Sequence, residues 1–250
     1  MASEVAQFLM VLGVFAGAVV SGFTGFAFSA VAGAVLLHMM PPAEAVPLMM
    51  ICSVLVQSIC LVSLRRHVQW RGSFALIAGG LIGLPPALYV LVHADPILFR
   101  IGFGAFLAAY AGYMLFRTRL RKAVHAPDED AGAPSLAQQA AVGFAGGLIG
   151  GVTAMPGAVP TIWCDWLGIG KDRQRGLVQP YITAMQLAAL ALLFLERGLP
   201  EALPDDLLFS VPSLAAGTLL GLALFGKVSD ALFRRVLLGV LLLSGLTYVI

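Results

Sequence analysis

Long apolar runs separated by short polar stretches dominate the pattern of the chain. Six of these runs carry few or no charged residues, and they cover 47–64, 74–92, 97–116, 178–195, 207–225 and 236–250. A helix needs about 20 apolar residues to cross a hydrocarbon core about 30 Å thick, and each run is close to that length. The pattern therefore predicts an all-α polytopic membrane protein in which these runs are transmembrane helices.

Two further apolar segments, 8–38 and 136–167, are each too long for one ordinary span. The second contains the stretch GGLIGGVTAMPGAVPTIWCDW at 146–166, with five glycines and two prolines, which are the residues least suited to an unbroken helix. We predict that each segment breaks and turns back, at 21–29 in the first and at 150–161 in the second. A re-entrant hairpin and a pair of short spanning helices both fit this pattern.

Composition supports a membrane protein. The chain is 60% hydrophobic and 11% charged, with a mean hydropathy of +0.94, whereas an ordinary soluble domain has about 25% charged residues. The three cysteines, Cys52, Cys60 and Cys164, fall in apolar segments without metal-ligand spacing. We interpret them as buried, inert thiols, and we expect neither a metal nor a cofactor.

The chain also resembles itself. Residues 13–22 align with 143–151, residues 95–100 align with 229–234, and Tyr113 aligns with Tyr248, so the offset changes only from 130 to 135. A chance likeness between glycine-rich helices is the alternative, but the matched order and spacing favour a duplication. We predict three parts, namely a first repeat at 1–116, a cytoplasmic linker at 117–135 and a second repeat at 136–250.

The placement of basic residues indicates how the halves are oriented. If segments 8–38 and 136–167 each cross once, the halves are parallel and the 15 lysines and arginines divide eight against seven. If each segment goes in and returns, the halves are inverted, and only Arg100 and Arg197 lie opposite the other thirteen. Because lysine and arginine concentrate on the cytoplasmic side, we predict two inverted repeats, each a broken segment followed by three transmembrane helices.

The inverted arrangement places Met1, Glu201 and Ile250 in the periplasm and Asp128 in the cytoplasm. Single cysteines at the first three positions should react with a membrane-impermeant maleimide on intact cells, whereas a cysteine at 128 should react only after permeabilisation. Labelling of positions 1 and 128 from the same side would contradict the inverted arrangement.

Inverted repeats with broken helices are typical of transporters, whose sites lie near the midplane where the repeats meet. A helix that restarts within the membrane presents unpaired N–H groups and the positive end of its dipole, which together favour an anion. Pro156 and Pro160 suit a first helical turn, and Gly157 would let an anion approach the backbone closely. No lysine or arginine occurs deep in a span, so we expect dipoles and neutral donors to hold the anion.

Candidate substrate-binding residues lie in the two breaks and on the helices that follow them: Ser21, Thr24, Gln57, Thr153, Pro156, Gly157, Thr161 and Gln186. Other polar groups near the breaks are Ser29, Ser53, Tyr181 and Thr183. Gln57 and Gln186 are the strongest side-chain candidates, because a neutral amide in mid-span is costly without a partner. The alternative is that the glycines are packing contacts and the hydroxyls bond their own helices.

Asp165 has two interpretations. An intramembrane carboxylate is a candidate for proton coupling. With Lys171, Arg173 and Arg175 one or two turns away, an interfacial ion pair beneath the anchors Trp163 and Trp166 is the alternative.

The second broken segment carries a family resemblance. Gly146-Gly147, Pro156-Gly157-Ala-Val-Pro160-Thr-Ile-Trp163-Cys, Gly170-Lys-Asp-Arg-Gln-Arg-Gly176 and Gln179-Pro180 resemble the sulfite exporter TauE/SafE family. The resemblance implies a multi-pass permease of the bacterial inner membrane for small sulfur oxyanions or organosulfonates. The first half departs from it, with Phe23, Phe26 and Phe28 in place of a denser glycine run. We therefore expect the first break to supply an apolar wall and the second break an oxyanion cradle.

These observations favour a transporter that exports a small anion by alternating access. A passive anion channel on the same fold and a permease of a non-sulfur carboxylate are the alternatives, and the oligomeric state stays open. An intramembrane enzyme is disfavoured, because the spans hold no His/Asp/Glu cluster, no paired carboxylates and no nucleophile with a spaced base. The basic stretch 117–122 is interpreted as a cytoplasmic loop rather than a nucleic-acid site. The expected partners are therefore a small anion and the lipid bilayer.

Overall fold

A computed structural model describes residues 2–64, 68–120, 134–198 and 200–224, together with residue 242. Within these residues the chain forms nine helices: α1 (Ala2–Thr24), α2 (Phe28–Met39), α3 (Pro42–Leu64), α4 (Trp70–His93), α5 (Pro96–Leu120), α6 (Leu136–Thr153), α7 (Ala158–Trp166), α8 (Lys171–Arg197) and α9 (Leu203–Leu224). The prediction of an all-α fold is confirmed.

Six of the described helices are long and apolar enough to cross a membrane, namely α1, α3, α4, α5, α8 and α9. Five of them coincide with runs predicted from the sequence, and the sixth, α1, is the start of the first broken segment. The predicted last span, 236–250, lies outside the described residues apart from Leu242.

Both long segments are broken, as predicted, and each consists of a long helix followed by a short one. At 1.5 Å per residue, α1 and α6 are about 34 Å and 27 Å long, whereas α2 and α7 are only about 18 Å and 14 Å. The short helices run back along the long ones, since a Cβ atom placed on Gly17 would lie 3.1 Å from the Cβ of Ala32, and one on Gly146 would lie 3.1 Å from the Cδ of Pro160. Of the four helices in these two segments, only α1 is among those long and apolar enough to cross a membrane, and the choice between a re-entrant hairpin and a pair of short spanning helices stays a prediction.

The two predicted halves pack reciprocally. α1 packs most extensively against α9, α6 packs most extensively against α4, and α3 and α8 contact each other. The first helix of each half thus packs on a later helix of the other half. The division at 1–116 and 136–250 and the opposite orientation of the halves stay predictions, and residues 121–133 of the predicted linker lie outside the described residues.

Glycines allow the closest helix contact. A Cβ atom placed on Gly79 of α4 would fall on the carbonyl group of Ala140, and one placed on Gly143 of α6 would fall on that of Leu76. Small residues at such positions let helix backbones approach within a membrane. This contact joins the predicted halves.

A proline interrupts the hydrogen bonding of α8. Pro180 has no N–H to donate to the carbonyl of Gly176. The N–H of Gln69, just before α4, donates to that carbonyl at 3.0 Å, and the hydroxyl of Ser73 donates to the carbonyl of Leu177 at 2.9 Å. The start of α4 therefore satisfies the backbone that the proline leaves exposed.

Candidate functional site

The first break turns at Gly25, between α1 and α2. Gly25 has a φ of +92°, a value that glycine adopts without steric cost, and its N–H donates to the carbonyl of Ser21 at 2.7 Å. The hydroxyl of Thr24 donates to the carbonyl of Val20 at 2.9 Å and accepts from the N–H of Phe26 at 3.5 Å. The break is thus a defined turn.

The second break turns at Ala154, between α6 and α7. Ala154 is in the left-handed region with a φ of 56°. The hydroxyl of Thr153 donates to the carbonyl of Ile149 at 2.7 Å and accepts from the N–H of Met155 at 3.3 Å. A threonine followed by a residue of positive φ therefore ends the long helix in both breaks.

The two candidate glutamines hold these turns. Gln57 of α3 donates from Nε2 to the carbonyl of Gly25 at 2.9 Å, and Gln186 of α8 donates from Nε2 to the carbonyl of Ala154 at 3.2 Å. Both amides are buried, and the Oε1 of each has no hydrogen-bond partner among the described residues. The positions match in sequence as well, because Gly25 and Ala154 are 129 residues apart, as are Gln57 and Gln186.

The breaks lie side by side. A Cβ atom placed on Gly157 would lie 3.4 Å from the Cβ of Phe26 and 2.5 Å from the Cδ1 of Ile182. The ring of Phe26 meets the ring of Tyr110 edge-on, with centroids 6.4 Å apart. Phe26 thus packs against the second break, while Ile182 fills the space beside Gly157 in which the sequence placed an anion.

Of the two prolines of the second broken segment, one lies in the break and the other in helix α7. Pro160 lies in the first turn of α7, as predicted, whereas Pro156 precedes that helix and lies within the break. In neither short helix does the side chain of the N-cap residue, Ala27 or Gly157, cap the N-terminus. The first N–H group of each short helix donates instead to a backbone carbonyl, from Phe28 to Phe26 at 2.9 Å and from Ala158 to Met155 at 3.2 Å, so the positive end of the helix dipole is what favours an anion there.

Several buried polar atoms near the breaks lack a partner among the described residues. They are the hydroxyls of Ser21, Ser29 and Thr161, in addition to the two glutamine oxygens. Buried polar groups in proteins are nearly always hydrogen-bonded, and an unsatisfied one is costly. Their concentration around both turns indicates a place for a polar ligand or for water.

Sequence reasoning missed a buried cation. Arg175 of α8 is 6% exposed and donates from Nη2 to the carbonyl of Gly22 at 2.8 Å, while Gln179 donates from Nε2 to the carbonyl of Gly25 at 3.5 Å. A charged side chain therefore contacts the first break, whereas the sequence analysis considered only dipoles and neutral donors there. A signal was present, because residues 175, 179, 182 and 186 have the spacing of one helix face.

Asp165 lies away from the glutamines. It is half-buried near the end of α7 opposite the break, next to the exposed side chain of Trp166. The ring of Trp166 meets that of Tyr113 edge-on, with centroids 6.2 Å apart. In the described part of the chain, no three His, Cys, Asp or Glu side chains form a group that could hold a metal ion.

Comparison with known proteins identifies the chain. The model of the family described as Sulfite exporter TauE/SafE matches residues 9–248. No curated protein and no solved structure matches. Because the match covers nearly the whole chain, this multi-pass membrane protein belongs to the sulfite exporter TauE/SafE family of membrane transporters.

Proposed function

We propose that the protein exports a small sulfur-containing anion, such as sulfite or an organosulfonate, from the bacterial cytoplasm across the inner membrane. The observation that carries this proposal is the pair of adjacent breaks, in each of which a buried glutamine donates to the carbonyl of the residue with positive φ. A short helix, α2 or α7, begins after each break, and the N-terminus of a helix favours a negative charge.

The electrostatics of the breaks suit both capture and release. The neutral donors near the turns that lack a partner among the described residues are the hydroxyls of Ser21, Ser29 and Thr161, so the anion is not bound irreversibly by a cluster of charges. Expelling an anion from a cell that is negative inside is downhill by about 2.3 kcal/mol per charge per 100 mV. The membrane potential alone is thus a sufficient driving force for export.

The reciprocal packing of the halves supports alternating access. α1 packs on α9 and α6 packs on α4, and matched turns and glutamines recur at one offset along the sequence. In transporters built from two such repeats, one repeat rocks against the other around a fixed site, so that the site faces first one side of the membrane and then the other. The substrate would then contact Gln57 and Ser21 on one side and Gln186, Thr153 and Thr161 on the other.

Sulfite efflux from proteoliposomes tests this proposal. Wild-type protein should give saturable efflux, and Gln57→Ala or Gln186→Ala should lower it by about tenfold or more, since removing one partner of a buried polar pair costs about 1–3 kcal/mol. Ser58→Ala and Leu187→Ala are matched controls, because these exposed residues are the chain neighbours of the two glutamines. Both controls should transport as wild type does.

Three results would contradict the proposal. Efflux that never saturates would indicate a passive channel, and transport of carboxylates in preference to sulfite would indicate a different substrate class. Unchanged efflux in both glutamine variants would place the site away from the breaks. Repeating the assay with a pH gradient, with Asp165→Asn beside wild type, tests the predicted proton coupling.

A further inference from the structure

We propose that Arg175 is the charged anion-recognition residue of this transporter, and that it acts at the first break. This inference rests on the proposed function and adds to it a residue that the sequence assigned to the membrane surface. Arg175 is the only charged side chain among the buried residues that the structure describes.

The guanidinium lies directly against the turn of the first break. Its Nη2 donates to the carbonyl of Gly22 at 2.8 Å, and its Nε would lie 2.7 Å from a Cβ atom placed on Gly25. Gln179, one helical turn further along α8, donates to the carbonyl of Gly25 at 3.5 Å. A polar strip of the second half therefore covers the break of the first half.

Positive potential and hydroxyl donors converge at this break. The N-terminus of α2 begins at Phe28, three residues after Gly25. Ser29 lies in the first turn of α2, is 2% exposed, and its hydroxyl has no hydrogen-bond partner among the described residues. Ser21 is fully buried one turn before Gly25, and its hydroxyl also lacks a partner in the described part of the chain.

A guanidinium suits the proposed substrates. It has five N–H donors in a fixed plane, and its donor pairs match the spacing of two oxygens on a carboxylate or similar oxyanion. Sulfite and sulfonates each carry three oxygens on one sulfur, so two can meet the guanidinium while the third meets a hydroxyl. The charge acts strongly because Arg175 is buried, where the effective dielectric constant is lower than in water.

The two breaks differ in charge, because Arg175 contacts the first of them. At the offset of 129 residues that relates the glutamines, the counterparts of Arg175 and Gln179 are Val46 and Met50, which are buried and apolar. The second break is therefore held by Gln186 without an equivalent charge. On this proposal the first break supplies a charged anion contact in addition to the apolar wall expected from the sequence.

A purely structural role is the competing explanation for Arg175. A cation near the C-terminal end of α1 is favourable for the helix dipole, and Arg175 would then only cap the carbonyls of that helix. The two roles differ in one measurable respect, because a cap stabilises the protein equally with and without an anion.

Thermal unfolding of the purified protein with sulfite, a sulfonate, acetate or chloride separates these roles. Sulfite should raise the midpoint of wild type, and Arg175→Gln, which keeps a neutral donor for Gly22, should lose most of that increase. Arg175→Lys should keep part of it, because it retains the charge without the planar donor pair. Arg173→Gln is the matched control, since Arg173 is exposed on the same helix, and it should respond as wild type does.

Efflux in proteoliposomes gives the second readout. Arg175→Gln should raise the sulfite concentration for half-maximal efflux by about tenfold or more, the scale of a lost charge-assisted hydrogen bond. An equal sulfite-induced increase in Arg175→Gln and wild type would overturn the role of Arg175 while leaving the proposed function intact. If Arg175→Gln fails to fold, Arg175→Lys is compared with wild type instead. A sulfite-induced increase in midpoint as large as that of wild type would show that the planar donor pair of the guanidinium does not recognise the anion. Both proposals would be overturned if no sulfur anion raised the thermal midpoint of the wild-type protein and the wild-type protein transported none.

Discussion

Alanine at Gly143 or Gly79 should strongly lower the thermal midpoint of the purified protein, because the added methyl group has no space between α4 and α6. The Cβ of each would fall on a carbonyl group of the facing helix, at Leu76 and Ala140 respectively. A backbone group cannot rotate away as a side chain can, so the two helices must separate. Overpacking of this kind costs on the order of 1–3 kcal/mol, and here it also weakens the contact between the predicted halves.

Fluorescence-detected size exclusion after heating gives the midpoints in detergent. Gly102→Ala on α5 is the matched control, because no described atom lies within 4 Å of a Cβ atom placed there. We expect that control to be neutral or stabilising by up to about 1 kcal/mol, because alanine favours a helix more than glycine does. Equal midpoints for Gly143→Ala and Gly102→Ala would show that α4 and α6 do not approach this closely.

Alanine at Gly25 should abolish saturable sulfite efflux. The φ of +92° lies outside the left-handed region that a residue with a Cβ tolerates, and strain of this kind costs about 1–3 kcal/mol. The new Cβ would also lie 2.7 Å from Nε of Arg175 and 3.0 Å from Nε2 of Gln179. The turn must therefore change, which moves the carbonyl that Gln57 holds. Ala154, with a φ of 56°, lies within the left-handed region, which a residue with a Cβ can adopt but still at a steric cost.

Efflux in proteoliposomes, measured beside the midpoint of unfolding, checks this prediction. Gly112→Ala on α5 is the control, since a Cβ atom there would contact no described atom within 4 Å, and it should transport as wild type does. Normal efflux in Gly25→Ala would show that the geometry of the first turn is not needed for transport.

The sequence predicted the spans and the existence of the breaks, because apolar length and the Gly/Pro content are local properties. The second break falls inside the predicted range 150–161, but it is narrower than that range. Gly150 and Gly151 were expected within it, yet both stay inside α6, and the chain turns at Ala154. Tertiary packing explains why glycines stand at these helical positions. A Cβ atom on Gly150 would clash with Pro156, and one on Gly151 would approach Ala87 and Leu84. These glycines serve close packing, the alternative that the sequence left open.

The candidate site was predicted in part for a similar reason. Gln57 and Gln186 stand out in any reading of the chain, because neutral amides in mid-span need partners. Arg175 did not stand out, since the sequence grouped it with Lys171 and Arg173 as basic residues at the membrane surface. Its burial depends on the last turn of α1, which lies more than 150 residues earlier in the chain and covers it only in the folded protein.

Pro180 has a mechanical consequence. It removes one backbone hydrogen bond from α8, and a helix bends most easily where such a bond is missing. Arg175 and Gln179, which contact the first break, lie before this position, and Gln186, which contacts the second, lies after it. We therefore expect α8 to bend most easily at Pro180. Its contacts with the first turn could then break while its contact with the second turn is kept.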